Sequence, residues 1–524
     1  MSKVLLLSRE AGAESREWKM WAKAAEFWGL PYELADEATF AQVDETAYSL
    51  ILVAGAEEIG ASAANKLRSF AAEGGGVLIS GPLPAELCDL FGGIRTRRIV
   101  RTGTHRCIRI VAEEGLGGWQ AGDILFFTNT YQLAGTDYLV EGLERLEGRI
   151  LGESEMMTLT DAESDSWGDW TEDPSPTIIA RQVGSGMMLY VPLALGGMEW
   201  VTQPQIPTFK EFPYVVHNHA LLLFMRSLFE SAAAPGKLSV RPLWPSGAKM
   251  AVCITGDVHD YVGLGLGQRE DREYKDMIDY MNVLQQFGLE GRATFYISGA
   301  VAMRHPEEIR EGFRRGYEMC PHTYKDTCYS SAGFDYAAQK EDIDRCIREF
   351  RAIAPEHNDY AKGFRTHGYN SNYDTRRALE RREYDYIADL QAWEAVGQHI
   401  PDYPEYPERL ITYAALPQQT IDYRGRAMNL VEIPDSVVND HFVYRILRLE
   451  PEQAAEFYKK EFDKFYRLGG LFQVNFHPYI SLREGPGREA AFRDILAHIA
   501  SHEDIAFLRM DELCEWWKGR GAPC

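Results

Sequence analysis

From residue 250 onward the chain alternates short apolar runs with amphipathic stretches, and several of the apolar runs stop at a histidine, an aspartate or an arginine. The runs are "MAVCITG", "RATFYISG", "YEMCPHT", "AKGFRTHG", "NLVEIP" and "LFQVNFHPY". Between them lie "YKDMIDYMNVLQQFGL", "PEEIREGFRRG", "AAQKEDIDRCIREFRAIA", "TRRALERREYDYIADL" and "PEQAAEFYKKEFDKFYRLGG", with "REAAFRDILAHIASH" after the last. Strand–helix alternation with short turns predicts parallel strands covered by helices. Sustained over about 290 residues, it predicts a (β/α) barrel whose chemistry gathers at the C-terminal ends of the strands.

Those ends share one character. "AVCITGDVHDYVG" finishes in Asp257, His259 and Asp260. "PHTYKDT" carries His322, Thr323 and Asp326, and "FRTHGYN" carries Arg365 and His367. "EIPDS" and "NFHPY", with His477, close two later strands. A single histidine at a strand end is more often a satisfied polar residue than a ligand. Aspartates there serve as helix caps or turn residues, and a lone arginine pairs with a surface carboxylate. Convergence of five such ends is the stronger signal. Asp257 and His259 are two apart, so on an extended chain they share a side. His322 and Asp326 are four apart, which one helical turn or a tight loop brings together. Two imidazoles and one carboxylate match divalent-metal ligation with open positions, for which zinc, cobalt, nickel or iron is suitable.

The chain is 524 residues long, which implies more than one domain. Its net charge of −23 disfavours nucleic acid and acidic membrane surfaces as partners and suits a neutral or cationic ligand. The start, "MSKVLLLSREAG", has too short an apolar run for a signal peptide and reads as a first strand, so a cytoplasmic location is expected. The eight cysteines form no C-x-x-C, which points to reduced thiols rather than a zinc ribbon or a dithiol motif.

The first half also begins as strand and helix in turn, with "KVLLL", "YSLILVAG" and "GVLISG" as strands. After residue 95 the pattern changes to "RRIVRTG", "HRCIRIVA", "TIIARQV" and "GMMLYVPLA", read as mostly antiparallel, before a long helix, "VVHNHALLLFMRSLFESAAA". "APGKLSVRPLWPSG" places a domain boundary near 235, giving domains 1–235 and 236–524. The expected fold class is therefore α/β, a doubly wound N-terminal domain with antiparallel additions and a C-terminal distorted (β/α) barrel.

Taken together, the strand-end residues resemble the NodB-homology polysaccharide deacetylases, carbohydrate esterase family four, over roughly residues 245–515, about half the chain. The matching segments are Thr255-Gly256-Asp257-Val258-His259 for the family's first motif and His322-Thr323-Tyr324-Lys325-Asp326 for the second. Arg365-Thr366-His367-Gly368-Tyr369 matches the third, and "VNFHPY" the fifth. "LVEIPDS" and "GGLFQVNFHPY" resemble the divergent branch. The resemblance implies a metal-dependent hydrolase, with zinc foremost, that removes N-acetyl groups from an amino-sugar-containing saccharide. It implies metal ligands His259, His322 and Asp326, a reciprocal exchange of the family's aspartate and second histidine that keeps the ligand inventory. Asp257 is implied as the base, Arg365 as its partner, and His477 as the acid for the departing amine. A backbone N–H near Tyr324 would hold the oxyanion. Asp389 would orient the histidine, with Asp385 nearly as good a candidate. His367 stands where the family usually has proline and is a further candidate ligand. A competing alignment puts Gly256 at the base position and Asp257 on the metal, which would leave a weakened or inactive enzyme. An inactive carbohydrate-binding relative and a hydrolase of a non-sugar amide are the alternative functions.

The first half resembles the class I glutamine-amidotransferase-like, flavodoxin-like domains through "YSLILVAGAEEIG" and "FAAEGGGVLISG". It has no Gly-x-Cys-x-Gly, so no glutaminase is expected. Sugar binding, cleft shaping or homo-oligomer formation is its expected part. Trp167, Trp170 and Trp200, and the segment "EWVTQPQIPTFKEFPY", are candidates for contact with sugar rings. "VGLGLGQ" lacks the βαβ context of a dinucleotide loop.

Overall fold

The computed structural model describes all residues except 1–2, 9–15, 101–104, 129–135, 158–174, 193–200, 203–215, 218, 234–236, 261–269, 330–333, 358–361, 391–392, 396–409, 413–415, 423–425 and 521–524. Trp167, Trp170, Trp200, most of the "EWVTQPQIPTFKEFPY" segment and the "VGLGLGQ" stretch lie outside the described residues. The protein is a mixed α/β chain of several sheets in two compact units. One unit comprises Met1–Gln203 and Val216–Pro242, the other Pro204–Val215 and Leu243–Cys524.

The N-terminal unit is built on a nine-stranded mixed sheet. Tyr32–Asp36, Lys3–Ser8, Tyr48–Ala54 and Gly76–Ser80 are parallel neighbours in that order, and Gly186–Val191 joins Gly76–Ser80 in the same direction. The rest of the sheet is antiparallel: Ser175–Val183, Arg149–Met157, His105–Ile110 and Ile124–Thr128. Every residue of Tyr48–Ala54 is buried. A strand covered on both faces has no reason to alternate, so "YSLILVA" shows no period of two. Helix Ala61–Ala72 buries Ala63, Ala64, Leu67, Phe70 and Ala71 in a core with Ile51, Val53, Val77 and Ile79.

In the C-terminal unit one parallel array runs Glu318–Pro321, Ala293–Ile297, Met250–Val258, Leu471–Asn475, and Ile505–Phe507 pairs with the start of Met250–Val258. A second sheet holds Gly363–Phe364, Tyr386–Ile387 and Ala427–Glu432 in parallel, with Gln418–Ile421 antiparallel at its edge. The two ladders approach at two single backbone bonds, Arg365 N–H to Pro321 O (3.5 Å) and Ser436 N–H to Gln473 O (3.0 Å). Where a distorted (β/α) barrel was expected, two parallel ladders meet with one such backbone bond at each of their two pairs of facing edges among the described residues. Strands of two residues, such as Gly363–Phe364 and Tyr386–Ile387, are too short to carry a longer ladder.

The helices start where the sequence offers caps. Asp335 caps Tyr336–Ile353 by accepting the Ala338 N–H at 2.9 Å, and Asn372 forms a capping box ahead of Tyr373–Glu380. Pro451 opens Pro451–Leu468, and Gly469, at φ +70°, closes it. No helix among the described residues is long and apolar enough to cross a membrane. Cys88, Cys253, Cys320, Cys328, Cys346 and Cys514 are free thiols.

Candidate active site

Strand Met250–Val258 is buried along its whole length and delivers Asp257 into the interior of the C-terminal unit. Its alternation puts Asp257 and His259 on one side. Gly256 faces the other way: a Cβ there would lie 3.2 Å from the Phe295 ring and 3.3 Å from the Phe476 carbonyl oxygen. A side chain at 256 would enter that packing layer rather than the cluster of histidines.

Asp257 belongs to a closed ring of hydrogen bonds. Arg365 Nη1 donates to Asp257 Oδ1 at 3.0 Å, and Arg365 Nη2 donates to Asp435 Oδ1 at 2.8 Å. The Tyr369 hydroxyl donates to Asp435 Oδ2 and accepts Asn475 Nδ2 at 3.0 Å. Asn475 Nδ2 also donates to Asp257 Oδ2 at 2.9 Å, which closes the ring. Arg365 is fully buried, and its remaining donors reach the Ala388 carbonyl (2.9 Å) and Thr255 Oγ1 (3.0 Å). Its guanidinium lies 4.3 Å from the Tyr296 ring centroid. Burial disfavours the Asp257 carboxylate, but Arg365 above all outweighs burial and holds its carboxyl well below the usual range. Burial wins at Asp435, whose carboxyl is pushed up to about 6 despite Arg365 and Tyr369.

The histidines gather beside this ring. Donor atoms of Asp257, His259 and His322 lie within 4.8 Å of one another, and so do those of His259, Asp326 and His367. The expected ligands His259, His322 and Asp326 are therefore divided between two triads that share His259. His322 is fully buried, with its Nδ1 3.1 Å from the Arg365 carbonyl oxygen. A carbonyl only accepts, so Nδ1 carries the proton and the Nε2 lone pair is left available. That Nε2 is buried without a hydrogen-bond partner, 3.8 Å from Asp257 Oδ2. An orphaned imidazole nitrogen beside carboxylates and further imidazoles fits a divalent cation. Burial pushes His322 down to about 3, and burial with His259 nearby pushes His367 down to about 4, so both rings are neutral, as ligation requires.

Asp326 reaches the cluster through a loop rather than a helical turn. Thr323 and Asp326 both take left-handed backbone conformations, φ +58° and φ +49°. The loop is tied by Gly299 N–H to Thr323 O (3.0 Å) and Ala300 N–H to Tyr324 O (2.9 Å). Asp326 Oδ1 accepts the Ser298 hydroxyl and lies 3.4 Å from His259 Nδ1, while Oδ2 accepts the Asp260 N–H. Burial opposes its ionisation, and His259 outweighs burial, so the carboxyl is held low.

His477, two residues beyond the strand Leu471–Asn475 and just before the helix Pro478–Leu482, has its ring stacked at 5.1 Å and 22° on His259. Its Nδ1 lies 2.6 Å from Asp440 Oδ1, and its backbone N–H donates to Asp440 Oδ2 at 2.9 Å. Ser481 Oγ donates to the same Oδ2 at 2.7 Å. The carboxylate on His477 is therefore Asp440, not Asp389 or Asp385. Asp389 accepts the Thr366 N–H and hydroxyl, each at 2.7 Å, and burial beside Glu432 pushes its carboxyl up to about 7. Asp385 pairs with Lys518 (2.6 Å) and Lys362 (3.2 Å). Both stand near the strand Tyr386–Ile387, which makes no ladder with the strand bearing His477. The Tyr324 N–H, expected near an oxyanion, is already donated to Asp342 Oδ2 at 2.9 Å.

Sequence reasoning missed Asn475, Asp435 and Asp440 as members of the site. Asn475 stands two residues before His477 on one extended strand, a spacing that shares a face and could have raised it. "EIPDS" offered Asp435 at a strand end, but nothing local says that it meets Arg365. Asp440 follows a loop and carries no sequence signal.

Comparison with known proteins brings in a family at this point. Residues 275–387 match the polysaccharide deacetylase family model. That span contains His322, Asp326, Arg365 and His367 and stops before Asp435, Asp440 and His477. No curated protein matches the chain. Solved structures similar to it include a putative polysaccharide deacetylase from Mycobacterium smegmatis, 23% identical, covering 53% of this chain and 93% of that one with a TM-score of 0.42. A Puue allantoinase is 18% identical over 55% of this chain and 96% of its own, TM-score 0.42. A probable polysaccharide deacetylase from Pseudomonas aeruginosa PAO1 is 18% identical over 54% and 95%, TM-score 0.41. Within the C-terminal unit, the match to polysaccharide deacetylases covers residues 275–387.

Proposed function

We propose that the protein hydrolyses N-acetyl groups from an amino-sugar-containing saccharide, using a divalent metal, zinc foremost, held by His259, His322 and Asp326. The observation that carries this reading is that two proton-handling groups stand beside His259. Asp257 is kept ionised by Arg365 and Asn475, and His477 is oriented by Asp440. A divalent ion held by His259, His322 and Asp326 would supply Lewis-acid polarisation of the amide carbonyl and make the attacking water more acidic. Asp257 takes the proton of the attacking water, its two oxygens fixed so that little reorganisation is needed. Arg365 keeps Asp257 charged and donates at the same time to Asp435. His477 delivers a proton to the amine nitrogen as the C–N bond breaks. Asp440, on Nδ1, aims Nε2 at that nitrogen.

The test is acetate release from N-acetyl-chito-oligosaccharides by the full chain, with metal content measured on the same sample. One ion per chain and acetate release that stops on chelation and returns with zinc or cobalt are the expected results. Protein that holds metal stoichiometrically yet releases no acetate from any N-acetylated saccharide overturns the substrate class. Protein that binds these saccharides without metal overturns the enzyme and leaves a carbohydrate-binding relative.

A further inference from the structure

We propose that Ser481 is a positioning residue for the proton delivered to the leaving amine: its hydroxyl locks the Asp440 carboxylate that orients His477. Its removal then falls hardest on substrates whose leaving group needs a proton. The proposal rests on the hydrolytic reading above and adds a residue to its acid side.

Asp440 is fully buried, and the backbone around it is pinned. The Tyr458 hydroxyl donates to the Val438 carbonyl at 3.0 Å. The Asn439 side chain accepts the Phe442 N–H at 2.9 Å, and the Asn439 carbonyl accepts the Val443 N–H at 3.1 Å. What remains to be fixed is the rotation of the Asp440 side chain. If the carboxylate swings, the line from Oδ1 to the ring Nδ1 swings with it, and so does the direction of Nε2. Two of the donors to Asp440, the Nδ1 and the backbone N–H of His477, belong to the residue being oriented. Ser481 Oγ, at 2.7 Å from Oδ2, is the one donor from another residue among the described residues.

The setting of Ser481 suits that part. It lies in the helix Pro478–Leu482, all five residues of which are buried. A serine inside a helix commonly turns its hydroxyl to the carbonyl four residues back. Here that carbonyl is His477's. It accepts the Ser481 N–H at 2.9 Å, and the hydroxyl reaches Asp440 instead. A carboxylate only accepts, so the hydroxyl proton points at Oδ2. One turn of chain thus carries the acid at its start and, four positions on, the donor that steadies the acid's partner.

The chemical consequence is selective. When an amide is cleaved, the electron pair of the C–N bond goes to nitrogen, which takes the Nε2 proton of His477, and the acetate keeps the oxygen of the water. An aryl ester that expels nitrophenolate needs no such proton. A misaimed His477 slows the first reaction and spares the second.

The experiment compares the wild type and S481A, as zinc-loaded full chains, on N-acetyl-chito-oligosaccharides and on 4-nitrophenyl acetate. S481A is expected to lose about tenfold or more in kcat on the amide, with KM and zinc content unchanged. On the ester it is expected to lose less than about twofold. In a D440A background the same substitution is expected to cost nothing further on the amide. S481C, which keeps the volume and donates only weakly, carries the comparison where S481A melts early. Where the ester is not turned over, the D440A background decides. Equal losses on both substrates, no loss on the amide, or losses that add to those of D440A overturn the role of Ser481 and leave the hydrolytic reading standing. A wild type that releases no acetate from N-acetylated saccharides overturns that reading, and this role with it.

Discussion

Asp440 holds His477 at two points: Oδ1 lies 2.6 Å from the ring Nδ1, and Oδ2 accepts the backbone N–H at 2.9 Å. One carboxylate thus fixes both the ring's tautomer and the place where the chain leaves its strand. Asp440→Asn is expected to lower kcat/KM between about 10²- and 10⁴-fold, because an amide can turn its NH₂ toward the ring and reverse the tautomer. Asp389→Asn serves as the comparison, since Asp389 is engaged with Thr366. Steady-state rates for the two variants decide the point; equal losses would return Asp389 to the site.

Asp257→Asn separates the two alignments of the first strand end. With Asp257 as base, turnover falls by about 10²-fold or more while zinc content stays at the wild-type level. A variant that loses its zinc as well makes Asp257 a ligand, as the competing alignment has it. Metal analysis beside single-turnover acetate release is the measurement.

Exchanging His259 and Asp326 would restore the order of ligands that the proposed metal site has in the proteins it resembles, but not the loop around them. Asp326 also accepts the Ser298 hydroxyl and the Asp260 N–H. D326H alone is expected to lose metal and to cost about 1–3 kcal/mol, from two buried donors left without an acceptor. The double variant H259D/D326H is expected to regain metal while keeping most of that loss. Zinc content and Tm are read together; a D326H protein that melts like the wild type would contradict the role given to Asp326 in the loop.

Glu318 makes stability depend on pH. It accepts bonds from Thr294 Oγ1 (2.6 Å) and the Tyr386 hydroxyl (2.8 Å), and burial, then Asp511, push its carboxyl from 4.5 up to about 7. The folded chain therefore binds this proton more tightly than the unfolded one. Its stabilising effect is complete below about pH 4.5 and is lost as pH rises through about 7. Glu318→Gln cannot titrate, so its Tm relative to wild type is expected to rise between pH 5 and pH 7.5. Parallel Tm profiles for the two proteins would remove Glu318 as the source.

How far the sequence reached varies with the range of the interaction. The strand run of Met250–Val258 and the pairing of Asp257 with His259 on one side follow from local apolarity and a period of two. Asp326, by contrast, depends on two left-handed residues in a short loop, which nothing in "HTYKDT" announces. The choice of Asp389 failed because proximity along the chain to a strand end is not proximity to His477. Asp440, which lies 37 positions before His477, is carried there by the loop beyond "EIPDS".

The sequence by itself determined which strands end in groups able to hold a metal or move a proton, because strand register and residue chemistry are local properties. Only the tertiary structure decided how those groups divide the work. It placed Arg365 between Asp257 and Asp435, set Asp440 on His477, and inclined His367 toward His259 and His322 while laying His477 flat against His259. Those relations depend on the angle and depth at which separate strands meet, and packing across the whole unit sets that angle and depth.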